Sequence, residues 1–184
     1  MRGNRTIKTS SESLDAFDTP NVPPIANIRI NIEIDYRLIF RPCTVDKFQV
    51  FTNLNENVGL LRIFPSITIA TIRAFLQPPI QGVVLQTFGS GNIPSNRQGV
   101  LDELKKASDR GVIIVNCTQC IAGSVDEIYA TGQVLQACGV VSGFDMTPEA
   151  AVTKLAYVLG KDEWNLETKK QVGSVKFKIH ILVN

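Results

Sequence analysis

Four stretches hold residues whose types and spacing could do chemistry. "NRTIKTSSESLDAF" gathers Thr6, Thr9, Ser10, Ser11 and Ser13 around Lys8. A hydroxyl becomes a nucleophile only when a base takes its proton, and by composition alone the stretch is an exposed polar segment. "FGSGN", residues 88–92, follows an apolar run and precedes a helix signal, the layout of a phosphate-cradling loop. A Walker-type loop needs a Lys-Ser/Thr pair after its glycines, and none follows. The dinucleotide fingerprint needs a third glycine where Pro94 stands. The turn is therefore expected to be a tight strand-to-helix connection at the carboxyl edge of a sheet, where open α/β sheets keep their sites. "NCTQC" places Cys117 and Cys120 at redox-motif spacing, but Ile121, Ala122 and Gly123 separate them from the next helix signal. Two small, mostly buried thiols at a strand end are expected. "SVDEIYATG" brings Asp126, Glu127 and Tyr129 to a loop-to-helix junction, where Glu127 completes a capping box with Ser124 and Asp126 suits the helix dipole. Tyr129 reads equally as a core aromatic or as a site hydroxyl.

The single histidine, His180, lies near the C-terminus. That argues against a Ser-His-Asp triad, a Cys-His pair or a multi-histidine metal centre within this chain. The 184 residues are 44% hydrophobic with a net charge of +2, enough to bury a core and without the clustered basic stripe of a nucleic-acid binder. No apolar run approaches a membrane span, and the opening residues do not have the pattern expected of a signal peptide. Four cysteines without a secretory signal favour a reduced, cytoplasmic setting.

The elements that must position these residues follow from patterning. Residues 1–27 are polar and end in Pro20, Pro23 and Pro24, which reads as a loop. In 28–56, a linker with irregular strands, "IRINIEI" alternates as a half-buried strand would. From residue 57 short apolar strands ("VGLLRIF", "GVVLQTF", "VIIVN", "VVSGFD") alternate with helix patterns. Ser66 is a possible N-cap of the first helix. Ser95 and Gln98 form a capping box for the second, which Gly111 ends. Gly139 closes the third, and Thr147 caps the fourth with Pro148 at N1. This order indicates a parallel sheet covered on both faces. The end, 172–184, alternates as a strand would without clear turn chemistry before it.

Together "DAFDTPNVPPIA", "VGLLRIFPSI", "IRAFLQPPIQGVVLQTFGSGNIPSN", "ASDRGVIIVNCTQCIAGSVDEIYATG" and "GVVSGFDMTPEAAVTKLAYVLG" resemble the bacterial-type L-asparaginases, within them the cytoplasmic type I branch and its animal relatives. The resemblance implies an α/β fold: a small Rossmann-like C-terminal domain at 57–171 with a parallel sheet flanked by helices. A linker and a remnant of the larger N-terminal α/β domain, residues 1–27, precede it. It implies hydrolysis of L-asparagine to aspartate and ammonia without metal or cofactor, in homo-oligomers, with no nucleic-acid or membrane partner. The family nucleophile is a threonine in a "TGGT" segment, and a second Thr-Asp pair works with a lysine. Neither "TGGT" nor "TD" occurs here, while "GNRTIKT" resembles the segment carrying that lysine, which makes Lys8 the implied catalytic residue. The chain alone is then expected to be inactive.

The resemblance further implies that the loop of Asp126, Glu127 and Tyr129 supplies weak substrate contacts to a neighbouring subunit. Thr118 and Cys120 match part of a regulatory asparagine pocket, in which Gln86 stands where an arginine is usual. Pro94 replaces an asparagine used by the extracellular branch. The alternative reading is a non-catalytic assembly or amino-acid-binding module derived from an asparaginase.

Overall fold

The structure is a computed structural model and describes residues 2–39, 47, 49–94, 98–125 and 130–174. Strands β1 (Ile7–Lys8) and β2 (Phe17–Asp18) pair antiparallel, and so do β3 (Ala26–Ile28) and β4 (Ile32–Ile34). Beyond them the chain alternates: β5 (Val58–Arg62), α1 (Ile69–Phe75), β6 (Gly82–Thr87), α2 (Gln98–Asp109), β7 (Ile113–Thr118), α3 (Ala130–Ala137), β8 (Val141–Ser142), α4 (Pro148–Leu159) and α5 (Leu166–Ser174). β5 to β8 form one four-stranded, wholly parallel sheet in sequence order.

β6 and β7 are buried along their whole length, which is why each opens as a continuous apolar run, residues 83–85 and 113–115, rather than an alternating one, before its polar carboxyl end. Val83, Leu85 and Ile114 meet Ile72 of α1 and its C-cap Leu76, Val100 and Leu104 of α2 and Leu135 of α3. Their neighbours Val84, Ile113, Val115 and Cys117 point the other way, against Ala151, Leu155 and Leu159 of α4. Each Val, Leu or Ile side chain among these, taken from water, contributes about 1.5–3 kcal/mol. Helix ends follow the expected chemistry at several points. Thr147 Oγ1 accepts from Ala150 N at 3.2 Å with Pro148 opening α4, and Gly111 and Gly139 take positive φ after α2 and α3.

Four expectations change. Residues 1–27 are not simply a loop, because β1 and β2 form a short ribbon within them. "IRINIEI" is not one half-buried strand: Arg29 N donates to Asn31 O and turns the chain, giving an exposed hairpin. The cap of α1 is Thr68, whose Oγ1 accepts from Thr71 N at 3.1 Å, since Ser66 belongs to a turn closed by Ile67 N and Phe64 O. Helix α5 extends through Val172, Gly173 and Ser174, past the expected start of the alternating tail. Ser95, Glu127, His180 and the rest of the tail lie outside the described residues, as does Cys43.

A clamp joins residues 51–55 to α4 and the segment after it. Lys161 Nζ stands 3.7 Å from the Phe51 ring centroid, with Tyr157 and Trp164 at 5.2 and 5.8 Å. Asn55 N donates to Ala156 O, and Asn53 Nδ2 to Gly160 O. The ammonium among three ring faces is a favourable cation–π arrangement.

Candidate functional site

Lys8 ends β1, exposed, with Nζ 5.8 Å from the Phe17 ring centroid across the ribbon. With Thr9, Ser10 and Ser11 it lines an open depression of about 320 Å³. Cross-strand bonds hold the ribbon: Thr9 N and Oγ1 both donate to Ala16 O, at 2.8 and 3.2 Å. At its base Thr6 Oγ1 lies 3.3 Å from Thr19 Oγ1, and Arg2 N donates to Thr19 Oγ1. Ser10 Oγ accepts from the Glu12 and Ser13 amides, so the hydroxyl-rich loop is shaped by its own serines.

The ribbon is tied to the connections at the carboxyl end of the parallel sheet. Arg5, buried, donates from Nη2 to Asp145 Oδ1 at 2.9 Å. Asn21 donates from Nδ2 to Gly123 O (2.8 Å) and Asp145 O (3.2 Å), and its Oδ1 accepts from Gly123 N (2.8 Å). Sequence reasoning passed over Arg5, Asn21 and Asp145. Their partners lie more than a hundred residues away, and no local pattern announces them.

Behind the glycine turn a buried polar set closes the sheet edge. Thr87 Oγ1 donates to Asn116 Oδ1 at 2.7 Å, and Asn116 Nδ2 donates to Gly91 O at 3.3 Å. Thr118 Oγ1 donates to Gly89 O at 2.6 Å and accepts from Cys120 N at 3.0 Å. Gly89 and Gly91 have φ of 49° and 112°, a conformation glycine adopts at little cost. The turn's carbonyls thus meet Asn116 and Thr118, and its amides are engaged too, Gly91 N and Asn92 N both donating to Phe88 O at 3.0 and 2.8 Å, which fits a structural connection rather than a phosphate cradle.

Thr118 and Cys120 are brought together within one turn, with the Thr118 hydroxyl engaged internally. Gln86 is buried beside them on β6. The thiols differ from expectation: Cys117 is fully buried, but Cys120 is exposed. Burial pushes the Cys117 thiol up to about 12, so it stays protonated and unreactive at neutral pH. Asp126, Glu127 and Tyr129 lie outside the described residues. Among the described residues no three His, Cys, Asp or Glu side chains converge to hold a metal, and no helix is long and apolar enough to cross a membrane.

Comparison with known proteins agrees with this architecture. Residues 57–172 match the family model of the glutaminase/asparaginase C-terminal domain. The chain is 57% identical over 170 residues to an L-asparaginase of Dirofilaria immitis, covering 92% of this chain and 29% of that protein. It is 44% identical over 172 residues to a 60 kDa lysophospholipase of Mus musculus, covering 94% of this chain and 30% of that one. The solved L-asparaginase I from Vibrio cholerae superposes with a TM-score of 0.86 at 40% identity, over 96% of this chain and 53% of that chain. The chain therefore spans between 29% and 53% of the length of these relatives. By sequence and by fold it belongs to the glutaminase/asparaginase family, of which it carries the C-terminal domain.

Proposed function

We propose that this chain is the C-terminal part of an L-asparaginase-like amidohydrolase, with Lys8 as its contribution to the catalytic machinery. The observation that carries the reading is the placement of Lys8. With Thr9, Ser10 and Ser11 it lines an open depression, on a ribbon fastened to the carboxyl end of a parallel sheet. In such a reaction a lysine draws a proton through a neighbouring threonine–aspartate pair. The activated hydroxyl then attacks the side-chain amide carbon of asparagine while backbone amides stabilise the oxyanion; the C–N bond breaks as ammonia leaves with the proton taken from the hydroxyl, and water cleaves the resulting ester to release aspartate and restore the hydroxyl. The threonine nucleophile and the aspartate partner would come from sequence beyond these 184 residues, so the chain by itself should not turn over asparagine. Asp126, Glu127 and Tyr129 as substrate contacts, Thr118 and Cys120 as a pocket remnant, a homo-oligomeric assembly and a cytoplasmic setting belong to the same reading.

The test is a chimera in which this chain replaces the matching 170 residues of the Dirofilaria immitis L-asparaginase. Ammonia release from L-asparagine is expected from the chimera, and a Lys8→Met version should lose it by about 10²–10⁴-fold. The purified chain alone should release none. Hydrolysis by the isolated chain, or a Lys8→Met chimera of undiminished rate, would overturn the assignment. A chimera that cleaves lysophospholipid and leaves asparagine untouched would move the reading to the activity named for the mouse relative.

The intact α/β domain also supports a second reading, a non-catalytic module that assembles with full-length subunits or binds an amino acid. Co-sedimentation with the full-length Dirofilaria enzyme and calorimetry with asparagine test it, and neither assembly nor binding would dispose of it.

A further inference from the structure

The two fastenings of the Lys8 ribbon are placed in a way that packing alone does not require. Arg5 stands just before β1 and Asn21 just after β2, so they bracket the ribbon in sequence. Arg5 is 3% exposed and reaches across 140 residues to Asp145. Asn21 grips both backbone polar groups of Gly123 as a neighbouring strand would, and adds the Asp145 carbonyl. The receiving residues lie on the connections that follow β7 and β8, the end of an open α/β sheet where ligands bind.

The receiving turn is itself held under strain. Phe144 has φ of 51°, a left-handed conformation that costs a non-glycine residue about 1–3 kcal/mol and persists only where its surroundings over-determine it. Those surroundings are present. Gly143 N donates to Asn116 O at 2.7 Å, Phe144 N to Ser142 Oγ at 3.1 Å, Val125 N to Phe144 O at 2.9 Å and Met146 N to Gly143 O at 3.0 Å. The result is an Asp145 whose carboxylate meets Arg5 while its carbonyl meets Asn21. One residue, Asp145, held in place beside the strained Phe144, thus serves both fastenings.

We infer that Arg5, Asn21 and Asp145 are positioning residues, a two-point staple by which the C-terminal domain fixes Lys8 over the carboxyl end of its sheet. This rests on the reading of Lys8 as the catalytic lysine. The domain then does more than shape a subunit surface: it sets where the ammonium stands. Small misplacements of reacting groups are costly, and a displacement of about 1 Å can lower a rate about a hundredfold.

Two measurements test the staple separately from the chemistry. In the isolated chain, Asn21→Ala and Arg5→Met should each speed amide hydrogen exchange at residues 7–9 and 17–19 by about tenfold or more, and residues 83–85 and 113–115 by less than about twofold. Arg5→Lys, which keeps the charge facing Asp145, should recover most of the lost protection. Unchanged ribbon exchange in both variants overturns the staple, as does a uniform rise across the sheet or a failure of Arg5→Lys to recover protection. In the chimera, Asn21→Ala should lower kcat about tenfold or more with KM within about twofold. An unaltered kcat there overturns the positioning role even if exchange rises. Should the unsubstituted chimera be inactive, the functional reading fails, and the staple stands or falls on exchange alone.

Discussion

Lys154, on α4, illustrates how a residue's surroundings set its charge. Burial, and then the positive charge of Arg5, hold its amine down at about 8, against an ordinary 10.5. Between those two values the unfolded chain binds a proton that the folded chain does not, so stability rises with pH across that window. Below about pH 8 the full penalty of a charged, part-buried amine is present, and it is relieved as pH climbs. The melting temperature of the wild-type chain, minus that of Lys154→Met, should therefore increase from about pH 7.5 to about pH 9.5. Thermal unfolding in matched buffers measures it; a difference that stays flat or falls would show that Lys154 is not held down. The effect is smaller than the pKa displacement alone suggests, because the side chain is partly exposed and screened.

At the scale of elements, two glycines separate a hard constraint from a soft one. A Cβ on Gly143 would stand 2.7 Å from Asn116 O and 2.7 Å from Cys117 Sγ. The first is backbone of a central strand and the second a fully buried thiol, so neither can move aside. On Gly82 the clashes are with side chains only, Leu159 Cδ1 at 2.6 Å and Leu155 Cδ2 and Cγ at 2.8 and 2.9 Å, carried by a helix that can shift over the sheet where strand backbone cannot. Gly143→Ala should thus cost about 1–3 kcal/mol and Gly82→Ala clearly less, read as shifts in the urea midpoint at unchanged slope. Equal losses would mean that β7 and β8 can part as readily as α4 can adjust. The α/β alternation was legible in the sequence because β6 and β7 are apolar on both faces and because Thr147, Pro148, Gly111 and Gly139 punctuate the helices locally. The ribbons were not. "IRINIEI" has the period of a strand, yet a turn at Arg29 and Asn31 folds it back on itself. The Lys8 ribbon owes its place to Arg5 and Asn21, whose partners are 140 and 102 residues away. No window of local periodicity contains such a contact, so Lys8 stood out only through family resemblance.

Over the whole molecule, apolar surface is distributed unevenly. The parallel sheet is covered on both faces, whereas the β3–β4 hairpin leaves Ile28 79% and Ile30 102% exposed, with Ile32 and Ile34 exposed as well. Its register sets Ile28 opposite Ile32 and Ala26 opposite Ile34, so these side chains share one face. A two-stranded ribbon this short is marginal in water on its own, and a net charge of +2 provides little repulsion between chains. Contiguous apolar surface of this kind binds hydrophobic dyes and favours self-association. The isolated chain should accordingly enhance anilinonaphthalene sulfonate fluorescence and sediment with a mass that grows with concentration. Ile28→Lys combined with Ile32→Lys should reduce both effects, while the thermal transition moves by no more than about 2 °C, since neither residue belongs to the two core clusters. A larger drop in melting temperature would mean that the hairpin packs on the domain in solution. Undiminished dye binding would instead place the apolar patch along the sheet edge, at the exposed Leu60 and Phe64.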